Sequence, residues 1–290
     1  MTPLRFGVVG SPVAHSKSPR MHAAAYAAHG MPHTYERLET SEAELAQRIE
    51  ALRDGTFAGL NVTVPHKARV LALVDEVDAS AQAVSAGNTL VRVGERRVRA
   101  YNTDVPALAE ELGRLGAAVA GGLAVVLGNG GAARAAVAAL ARLGAAEIVV
   151  RSRATSAELE AALVRAARTS APEAGNGPTL TTARLVADAA VDARARVFVQ
   201  ATSCGMSGGP PGDVVARAVA WTSVRPDAVA LDVVYGVETD FLRSARGRGI
   251  PSDDGLGMLA AQGALAFGLW FGLPPPRAIM RAALEVVPGA

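Results

Sequence analysis

Lysine is rare in this chain and occurs at two positions only, Lys17 and Lys67, among 29 lysine and arginine residues. A sequence that uses arginine almost everywhere for positive charge keeps lysine where a guanidinium performs poorly, for example in giving up a proton near neutral pH. Both lysines are therefore candidates for such proton chemistry, although a solvated surface position explains Lys17 equally well.

Polar side chains also cluster where strands or helices end, which is where binding and catalytic residues concentrate. Ser16 and Ser18 flank a predicted helix start, so their hydroxyls, the backbone N–H groups and the helix dipole could together hold a carboxylate. Ser18 can also be simply the helix N-cap. The four clusters are Ser16-Lys17-Ser18, Asn61 to Lys67, Gly87-Asn88-Thr89 and Asn102-Thr103-Asp104.

A glycine pattern, Gly128-x-Gly130-x-x-Ala133, follows the strand-like segment 123–127 and opens a helix. Glycines permit the tight turn and let the backbone approach a pyrophosphate, which the helix N-terminus attracts. In this strand–loop–helix context the pattern predicts dinucleotide binding, with an ordinary connection in an alanine-rich domain as the alternative.

The next strand is predicted to end at Val150 and to be followed by Arg151-Ser152-Arg153. An NAD site usually has Asp or Glu at this place, to hold the ribose 2′-hydroxyl. Two arginines beside a hydroxyl suit a 2′-phosphate instead, so the loop predicts NADP(H) rather than NAD(H). A solvated loop that happens to carry arginine is the alternative.

Composition limits the class of protein. The 290 residues are 50% hydrophobic, which argues against disorder and suggests two domains. The net charge of +2 with scattered arginines disfavours nucleic-acid binding. The single cysteine, Cys204, excludes a disulfide within the chain and a cysteine-based zinc site, and Gly30 and Pro32 break the only ligand-like histidine spacing, so no metal site is predicted. Without a secretory signal or a convincing membrane span, we expect a soluble, cytoplasmic protein.

Hydrophobic runs and turn residues give a coarse order of elements. Beyond about Asp104, strands alternate with helices at a spacing that indicates a parallel sheet covered on both faces. The predicted strands are 4–10, 57–64, 88–93, 98–101, 123–127, 147–150, 196–200 and 228–233, and helices are predicted over 18–29, from the capping box at Ser41 and Glu44 to Arg53, from Pro65, over 104–115 and over 132–143.

The segments GSPVAHSKSPRMH, GLNVTVPHK, GNTL, YNTD, GNGGAARA, ATSCGM, DVVY and DGLGMLAAQGALAFGLW stand in this order between residues 10 and 270. Together they resemble the ordered motifs of the shikimate dehydrogenase family. The resemblance implies an α/β protein of two domains, a substrate-binding domain with a mixed sheet and a Rossmann-like NADP-binding domain, separated by an active-site cleft. The corresponding ranges are 1–103 for the substrate domain, 104–253 for the NADP domain and 254–290 for C-terminal helices that pack back on the substrate domain.

The activity implied by the resemblance is the reversible, NADP-dependent reduction of 3-dehydroshikimate to shikimate, on the route to chorismate and the aromatic amino acids. Lys67 resembles the catalytic lysine and Asp104 its carboxylate partner. Ser16 and Ser18 match the pair that binds the substrate carboxylate. Further substrate contacts are implied for Thr63, Asn88, Asp104, Tyr235 and Gln262, and cofactor contacts for Gly128, Asn129, Gly130, Gly131, Ala132, Arg151, Ser152, Arg153, Thr202, Val233 and Gly255.

The departures from the family pattern all lie on the cofactor side. The loop at Arg151-Ser152-Arg153 commonly reads Asn-Arg-Thr, with another arginine at the position of Ser156. Gln200 replaces the usual asparagine, and Asn129 stands where alanine is common. These changes leave the strictness of NADP over NAD open.

Two alternatives share these motifs. Quinate or an aminated shikimate analogue differs from shikimate by one ring substituent, so an enzyme for either could carry nearly the same residues. A non-catalytic regulator could use the fold to bind the metabolite, although pure binding does not require Lys67 together with Asp104. Both a monomer and a homodimer fit the sequence.

Overall fold

The computed structural model describes residues 2–154, 156–171, 177–206 and 208–285. The chain forms two compact units: unit 1 comprises Met1–Asp104 and Leu259–Ala290, and unit 2 comprises Val105–Met258. The domain boundaries predicted from the sequence, 103/104 and 253/254, refer to domains of different function, and they stay a prediction. None of the helices in the described ranges is both long and apolar enough to cross a membrane.

The first part of unit 1 builds a mixed six-stranded sheet with strand order β2-β1-β3-β5-β6-β4. β1 runs parallel to β2 and β3, whereas β5 is antiparallel to both β3 and β6. Leucine and isoleucine side chains of α2 pack with those of β3 and β5 in the core. The elements are Arg5–Gly10 (β1), Ser18–Ala28 (α1), Thr34–Glu39 (β2), Leu45–Arg53 (α2), Gly59–Val62 (β3), Glu76–Val77 (β4), Ala79–Val84 (α3), Thr89–Arg92 (β5) and Val98–Tyr101 (β6), with a 3₁₀ helix at Arg69–Ala72.

Unit 2 contains a six-stranded sheet in which every strand pair is parallel, with order β12-β11-β10-β7-β8-β9. Counted from the first strand of the unit, this is the 3-2-1-4-5-6 order of the Rossmann fold. The first strand, β7, therefore stands at the point where the strand order reverses, which is where such sheets bind dinucleotides. The elements are Asp104–Arg114 (α4), Leu123–Leu127 (β7), Gly131–Arg142 (α5), Glu147–Ser152 (β8), Ala157–Ser170 (α6), Thr179–Arg184 (β9), Ala189–Arg194 (α7), Ala195–Gln200 (β10), Asp213–Ala216 (α8), Val229–Asp232 (β11), Asp240–Arg246 (α9) and Ser252–Asp253 (β12).

The C-terminal helices Leu256–Phe271 (α10) and Arg277–Glu285 (α11) bring the chain back into unit 1, where α11 packs against α1. The indole N–H of Trp270 donates a hydrogen bond to the Leu90 carbonyl at 3.0 Å. A side chain at Gly59 would overlap the Trp270 ring, so glycine is what lets α10 lie directly on the sheet. The Phe6 ring lies 4.8 Å from that of Trp270, between centroids.

The structure differs from the predicted elements at β2, at β9, after Pro65 and at the end of β8. β2 and β9 were not predicted, because each is an edge strand that buries few side chains and reads as a polar linker. The segment from Pro65 does not begin an α-helix: the Lys67 carbonyl accepts the Gly87 N–H at 2.8 Å, and only the 3₁₀ helix follows. β8 continues two residues past Val150.

Candidate active site

Lys67 and Asp104 form an ion pair in unit 1. The ammonium nitrogen of Lys67 lies 2.7 Å from Asp104 Oδ2, although 37 residues separate them in the chain. The Lys67 side chain is 18% exposed and that of Asp104 only 4%. The pair is thus mostly shielded from water but open on the lysine side, and a group that approaches the ammonium meets a fixed, positively charged proton donor.

The Asn88 side chain fixes the other side of Asp104. Its amide nitrogen donates to Asp104 Oδ1 at 2.8 Å, and its amide oxygen accepts the backbone N–H of Thr103 at 2.8 Å. Because both Asp104 oxygens have partners, the carboxylate has one defined orientation. Asn88 is 2% exposed, so these bonds are made away from water, where an unpaired polar group is costly.

The sheet register explains why these residues meet. β3 ends at Val62, β5 begins at Thr89 and β6 ends at Tyr101, and the antiparallel pairing places these three strand ends together. The Val62 N–H donates to the Asn88 carbonyl at 2.9 Å, and the Asn88 N–H donates to the Tyr101 carbonyl at 2.9 Å. The turns that carry Lys67, Asn88 and Asp104 therefore leave the sheet at one edge.

A second layer of buried polar residues supports this cluster, and the sequence analysis gave them no individual role. The Asn61 amide donates to the Asn88 carbonyl and to Thr89 Oγ1, both at 3.1 Å, and its oxygen accepts the Tyr35 hydroxyl at 2.8 Å. The His22 ring stacks on Tyr35 with centroids 4.2 Å apart. Asn61 could have been found from the sequence, because an asparagine in an otherwise apolar buried strand needs partners.

His22 is fully buried, and neither ring nitrogen has a hydrogen-bond partner among the described residues. Burial lowers the pKa of His22 to about 3, because the charged imidazolium would lose its hydration without compensation. The neutral ring thus acts as an aromatic support for Tyr35.

His66 holds the turn that carries Lys67. The side chain is 1% exposed, and its Nε2 lies 2.7 Å from the Thr40 carbonyl, to which it donates. Together with the bond from the Gly87 N–H to the Lys67 carbonyl, this contact fixes the turn on both sides of the lysine.

Ser16 and Ser18 stand at the start of α1, as the motif predicts, but Ser18 is not the N-cap. The cap position is Lys17, and Ser18 is the first helical residue. The Ser16 hydroxyl accepts the Ser18 N–H at 3.3 Å, which leaves its own proton free to donate. The Ser18 hydroxyl makes no hydrogen bond to any described residue. Two hydroxyl donors at a helix N-terminus suit a carboxylate.

The remaining predicted substrate contacts are distributed over both units. In unit 1, the Gln262 amide oxygen lies 3.5 Å from the Asn88 amide nitrogen, at the long limit of a hydrogen bond. Thr63 follows β3 and is partly buried. Tyr235 belongs to unit 2, in the segment after β11, and its role stays a prediction.

Two other histidines, His29 and His33, have backbone partners. His29 Nδ1 lies 2.9 Å from the Ala25 carbonyl, and His33 Nδ1 accepts the Leu4 N–H at 3.2 Å. Within the described ranges, no three His, Cys, Asp or Glu residues are grouped closely enough to hold a metal ion.

The glycine loop of unit 2 fits a dinucleotide. Gly128 has φ +116°, and a Cβ there would stand 2.8 Å from the Ala201 carbonyl oxygen, so only glycine is accommodated. Gly130 is the N-cap of α5, and a Cβ at this position would meet nothing, which marks open space beside the helix N-terminus. Gly131 and Ala132 begin the helix and carry no polar side chain that could compete for its N–H groups. The loop thus offers the open, positively polarised surface that a pyrophosphate needs.

Arg151 requires a correction. Because β8 extends to Ser152, Arg151 lies within the strand, and its side chain is 1% exposed. Its guanidinium lies 2.8 Å from Asp192 and donates to the Ala218 carbonyl at 2.8 Å. The side chain is therefore engaged inside unit 2, which leaves no exposed guanidinium at position 151 for a 2′-phosphate. Ser152 is also buried, whereas Arg153 is exposed.

The other predicted cofactor positions follow β10 and β11. Gln200 holds the turn after β10, because its amide oxygen accepts the Thr202 N–H and its amide nitrogen donates to the Cys204 carbonyl. A side chain at Gly255 would overlap the backbone of Val233, so these two segments are in close contact. Burial raises the pKa of the adjacent Asp232 to about 7, although bonds from Thr239 and Val234 act in the opposite direction.

A Rossmann sheet with an open glycine loop, and a shielded lysine–carboxylate pair with polar neighbours, define a dinucleotide-dependent dehydrogenase. Comparison with known proteins narrows this class. Residues 8–90 match the family model of the shikimate dehydrogenase substrate binding domain, and residues 255–285 match that of the shikimate 5′-dehydrogenase C-terminal domain. The chain belongs to the shikimate dehydrogenase family.

The relatives support this assignment over nearly the full length. A shikimate dehydrogenase (NADP(+)) of Methylobacterium radiotolerans is 43% identical over 95% of this chain and 93% of its own. The shikimate 5-dehydrogenase of Thermus thermophilus, solved with NADP(H) and shikimate, is 36% identical with a TM-score of 0.80, covering 97% of this chain and 98% of that one. The quinate dehydrogenase of Corynebacterium glutamicum, solved with NAD, is 28% identical with a TM-score of 0.82, covering 97% and 99%.

Proposed function

We propose that this chain catalyses the reversible, NADP-dependent reduction of 3-dehydroshikimate to shikimate. The observation that carries the proposal is the ion pair between Lys67 and Asp104, oriented by Asn88, in a member of the shikimate dehydrogenase family. A chain that only bound the metabolite would not need an ammonium group held in a shielded position against a carboxylate.

The substrate is an acid with several ring hydroxyls, and unit 1 offers a partner of suitable chemistry for each. Ser16 and Ser18 bind the carboxylate at the start of α1. Asn88, Asp104, Thr63 and Gln262 bind ring hydroxyls, and the family resemblance implies a further contact for Tyr235. Several fixed donors and acceptors reject compounds that lack the matching hydroxyl, because a buried polar group is then left unpaired.

Lys67 donates the proton in one direction of the reaction and accepts it in the other. NADP(H), when bound, supplies or accepts the hydride. As the substrate carbonyl becomes a hydroxyl, its oxygen gains negative charge, and the Lys67 ammonium stabilises that oxygen and delivers the proton, directly or through one water. In the reverse direction, the lysine receives the hydroxyl proton. Asp104 keeps the ammonium in place, and Asn88 keeps Asp104 from rotating.

NADP(H) is assigned to unit 2. The glycine loop from Gly128 to Ala132 would hold the pyrophosphate, and the exposed Arg153 would bind the 2′-phosphate. Thr202, Val233 and Gly255 complete the predicted contacts. The support for this assignment is the open space at Gly130 together with the Rossmann strand order.

Replacement of Lys67 tests the proposal. We expect Lys67→Ala to lower kcat by about 10²- to 10⁴-fold, the usual contribution of a positioned proton donor, while Kd for shikimate changes little. Lys67→Arg is the matched variant, since it keeps the positive charge but cannot release a proton at neutral pH. NADPH absorbance at 340 nm gives the rate, and equilibrium titration gives the binding. Near-normal turnover by Lys67→Ala would remove the proposed catalyst.

A substrate comparison separates the alternatives. We expect kcat/KM with NADP+ to be higher for shikimate than for quinate or aminoshikimate. A higher value for quinate would move the chain to a quinate dehydrogenase. Thermal stabilisation by shikimate with no absorbance change for any substrate would instead indicate a metabolite-binding regulator.

A further inference from the structure

The loop after β8 offers one guanidinium to a cofactor rather than two. Arg151 is paired with Asp192 inside unit 2, so Arg153 is the exposed cation of the segment Arg151-Ser152-Arg153. Ser156, at the position where the family resemblance expects a second arginine, accepts the Leu159 N–H and caps α6. Recognition of a 2′-phosphate in this loop thus depends on where one flexible side chain is held.

Asn129 ties that loop to the glycine loop. Its amide nitrogen donates to the Ala154 carbonyl at 2.5 Å, and the same carbonyl accepts the Ser152 hydroxyl at 3.0 Å. The Gly128 N–H donates to the Arg151 carbonyl at 2.8 Å. The residues on both sides of Arg153, Ser152 and Ala154, are therefore held by hydrogen bonds, and among the described residues Asn129 supplies a side-chain bond from the glycine loop.

We propose that Asn129 is a positioning residue for NADP(H) specificity, which acts by fixing the turn 152–154 so that Arg153 faces the ribose 2′-phosphate. The proposal rests on the assignment of NADP(H) to unit 2. Alanine at position 129, as the family resemblance expects, has no amide to make this bond. Because Arg153 is the exposed arginine of the segment 151–153, ordering it in advance lowers the entropy lost when the phosphate binds. The effect concerns the 2′-phosphate, since NAD(H) lacks the phosphate that Arg153 would bind.

A double-mutant cycle tests this mechanism. Calorimetric titration of the full chain, without shikimate, gives Kd for NADP+, NAD+ and the fragments 2′,5′-ADP and 5′-AMP. We expect Arg153→Ala to weaken NADP+ and 2′,5′-ADP by about 10- to 100-fold, as for loss of a charge-assisted hydrogen bond, and to leave NAD+ and 5′-AMP nearly unchanged. Asn129→Ala should weaken the same two ligands by about 3- to 10-fold. In the Arg153→Ala background, Asn129→Ala should have no further effect, because Asn129 acts through Arg153.

Arg184 provides the matched control. It is exposed and ends β9 as the register partner of Ser152, but the proposal gives it no role, so Arg184→Ala should bind all four ligands like the parent chain. Neither Asn129 nor Arg153 is buried, and melting temperatures confirm that each variant is folded.

Three results would overturn the proposal: equal weakening of NADP+ and NAD+ by Asn129→Ala, full additivity of the two substitutions, or a loss for Arg184→Ala as large as that for Arg153→Ala. These titrations do not depend on turnover. If the chain failed to oxidise shikimate but its NADP+ affinity showed the coupling between Asn129 and Arg153, the proposed function would be wrong and the role of Asn129 would still hold.

Discussion

The polar cluster of unit 1 and the loops after β7 and β8 of unit 2 are built in different ways. In unit 1, side chains hold other side chains: Asn88 orients Asp104, and Asp104 holds Lys67. In unit 2, the surface at the glycine loop is mostly backbone, shaped by Gly128 and by the start of α5. Where side chains bond to one another, each position accepts few residue types. Where the surface is formed by the backbone, the side chains beside it can be replaced without changing that surface. The departures from the family pattern lie in unit 2 accordingly.

Replacement of Arg151 and replacement of Arg153 should differ strongly in their effect on the free energy of unfolding. The Arg151 substitution has the largest expected effect. Arg151→Ala leaves Asp192 buried without its cation and should lower the free energy of unfolding by about 3–5 kcal/mol. Arg153→Ala, at an exposed position, should change it by less than about 0.5 kcal/mol. Urea unfolding measures both.

Replacing both partners, as Arg151→Met with Asp192→Leu, should restore much of the stability, since no buried charge is then left alone. If Arg151→Ala instead kept its stability and lost NADP+ affinity, the side chain would belong to the cofactor site and the correction above would be wrong.

Asn88 tests whether the cluster of unit 1 is as interlocked as the distances indicate. Asn88→Ala leaves Asp104 Oδ1 and the Thr103 N–H without these partners, and we expect a loss of about 3 kcal/mol in unfolding free energy, since one of the groups is charged. Lower turnover should accompany it. Asn88→Asp keeps the size of the side chain but places a second carboxylate against Asp104. We expect the acid limb of the pH–rate profile to move to higher pH, because two adjacent carboxylates disfavour each other's charged form. An unchanged profile would show that Asn88 does not orient Asp104.

The smallest expected effect is a difference in acid sensitivity between the units. All five histidines lie in the first 66 residues, so unit 2 has none. His22 has a folded-state pKa of about 3 against 6.5 when unfolded, so the unfolded chain binds the extra proton and stability is lost as the pH falls below 6.5. Between pH 6.5 and 5, this amounts to about 2 kcal/mol.

His22→Phe keeps the stack on Tyr35 and cannot be protonated. Between pH 6.5 and 5, its free energy of unfolding should therefore fall by about 2 kcal/mol less than that of the parent chain. Urea unfolding at a series of pH values makes the comparison, and hydrogen exchange assigns the loss to unit 1. In unit 2, the raised pKa of Asp232 acts in the opposite direction, because its folded form binds the proton more tightly. Equal pH slopes for the parent chain and His22→Phe would contradict the role given to His22.

The sequence predicted the parts of the molecule that depend on strong local patterns. The strand at Leu123–Leu127, the glycine loop and the helix after it follow from an apolar run and the residues that end it. The meeting of Lys67 with Asp104 was implied by the family resemblance. The edge strands β2 and β9 escaped prediction because they bury few side chains, so their sequences lack a clear apolar period.

The Arg151 side chain escaped prediction for a different reason. Its partner Asp192 lies on α7, beyond the whole of β9, and nothing in the local sequence distinguishes a buried paired arginine from an exposed one. The contact between Asn61 and Tyr35 depends on strand pairing across 26 residues, although the asparagine in a buried strand by itself indicates that it has a partner.

The interruption of unit 1 by unit 2 has a consequence for synthesis. A nascent chain that has reached residue 258 already contains every residue of unit 2, so the Rossmann sheet can form while the polypeptide is still being translated. Unit 1 still lacks Trp270 over Gly59 and the helix that packs on α1. The unit whose translation begins first is therefore the last to be completed, and a chain that ends at residue 258 contains all of unit 2 but carries Lys67 in an incomplete unit 1.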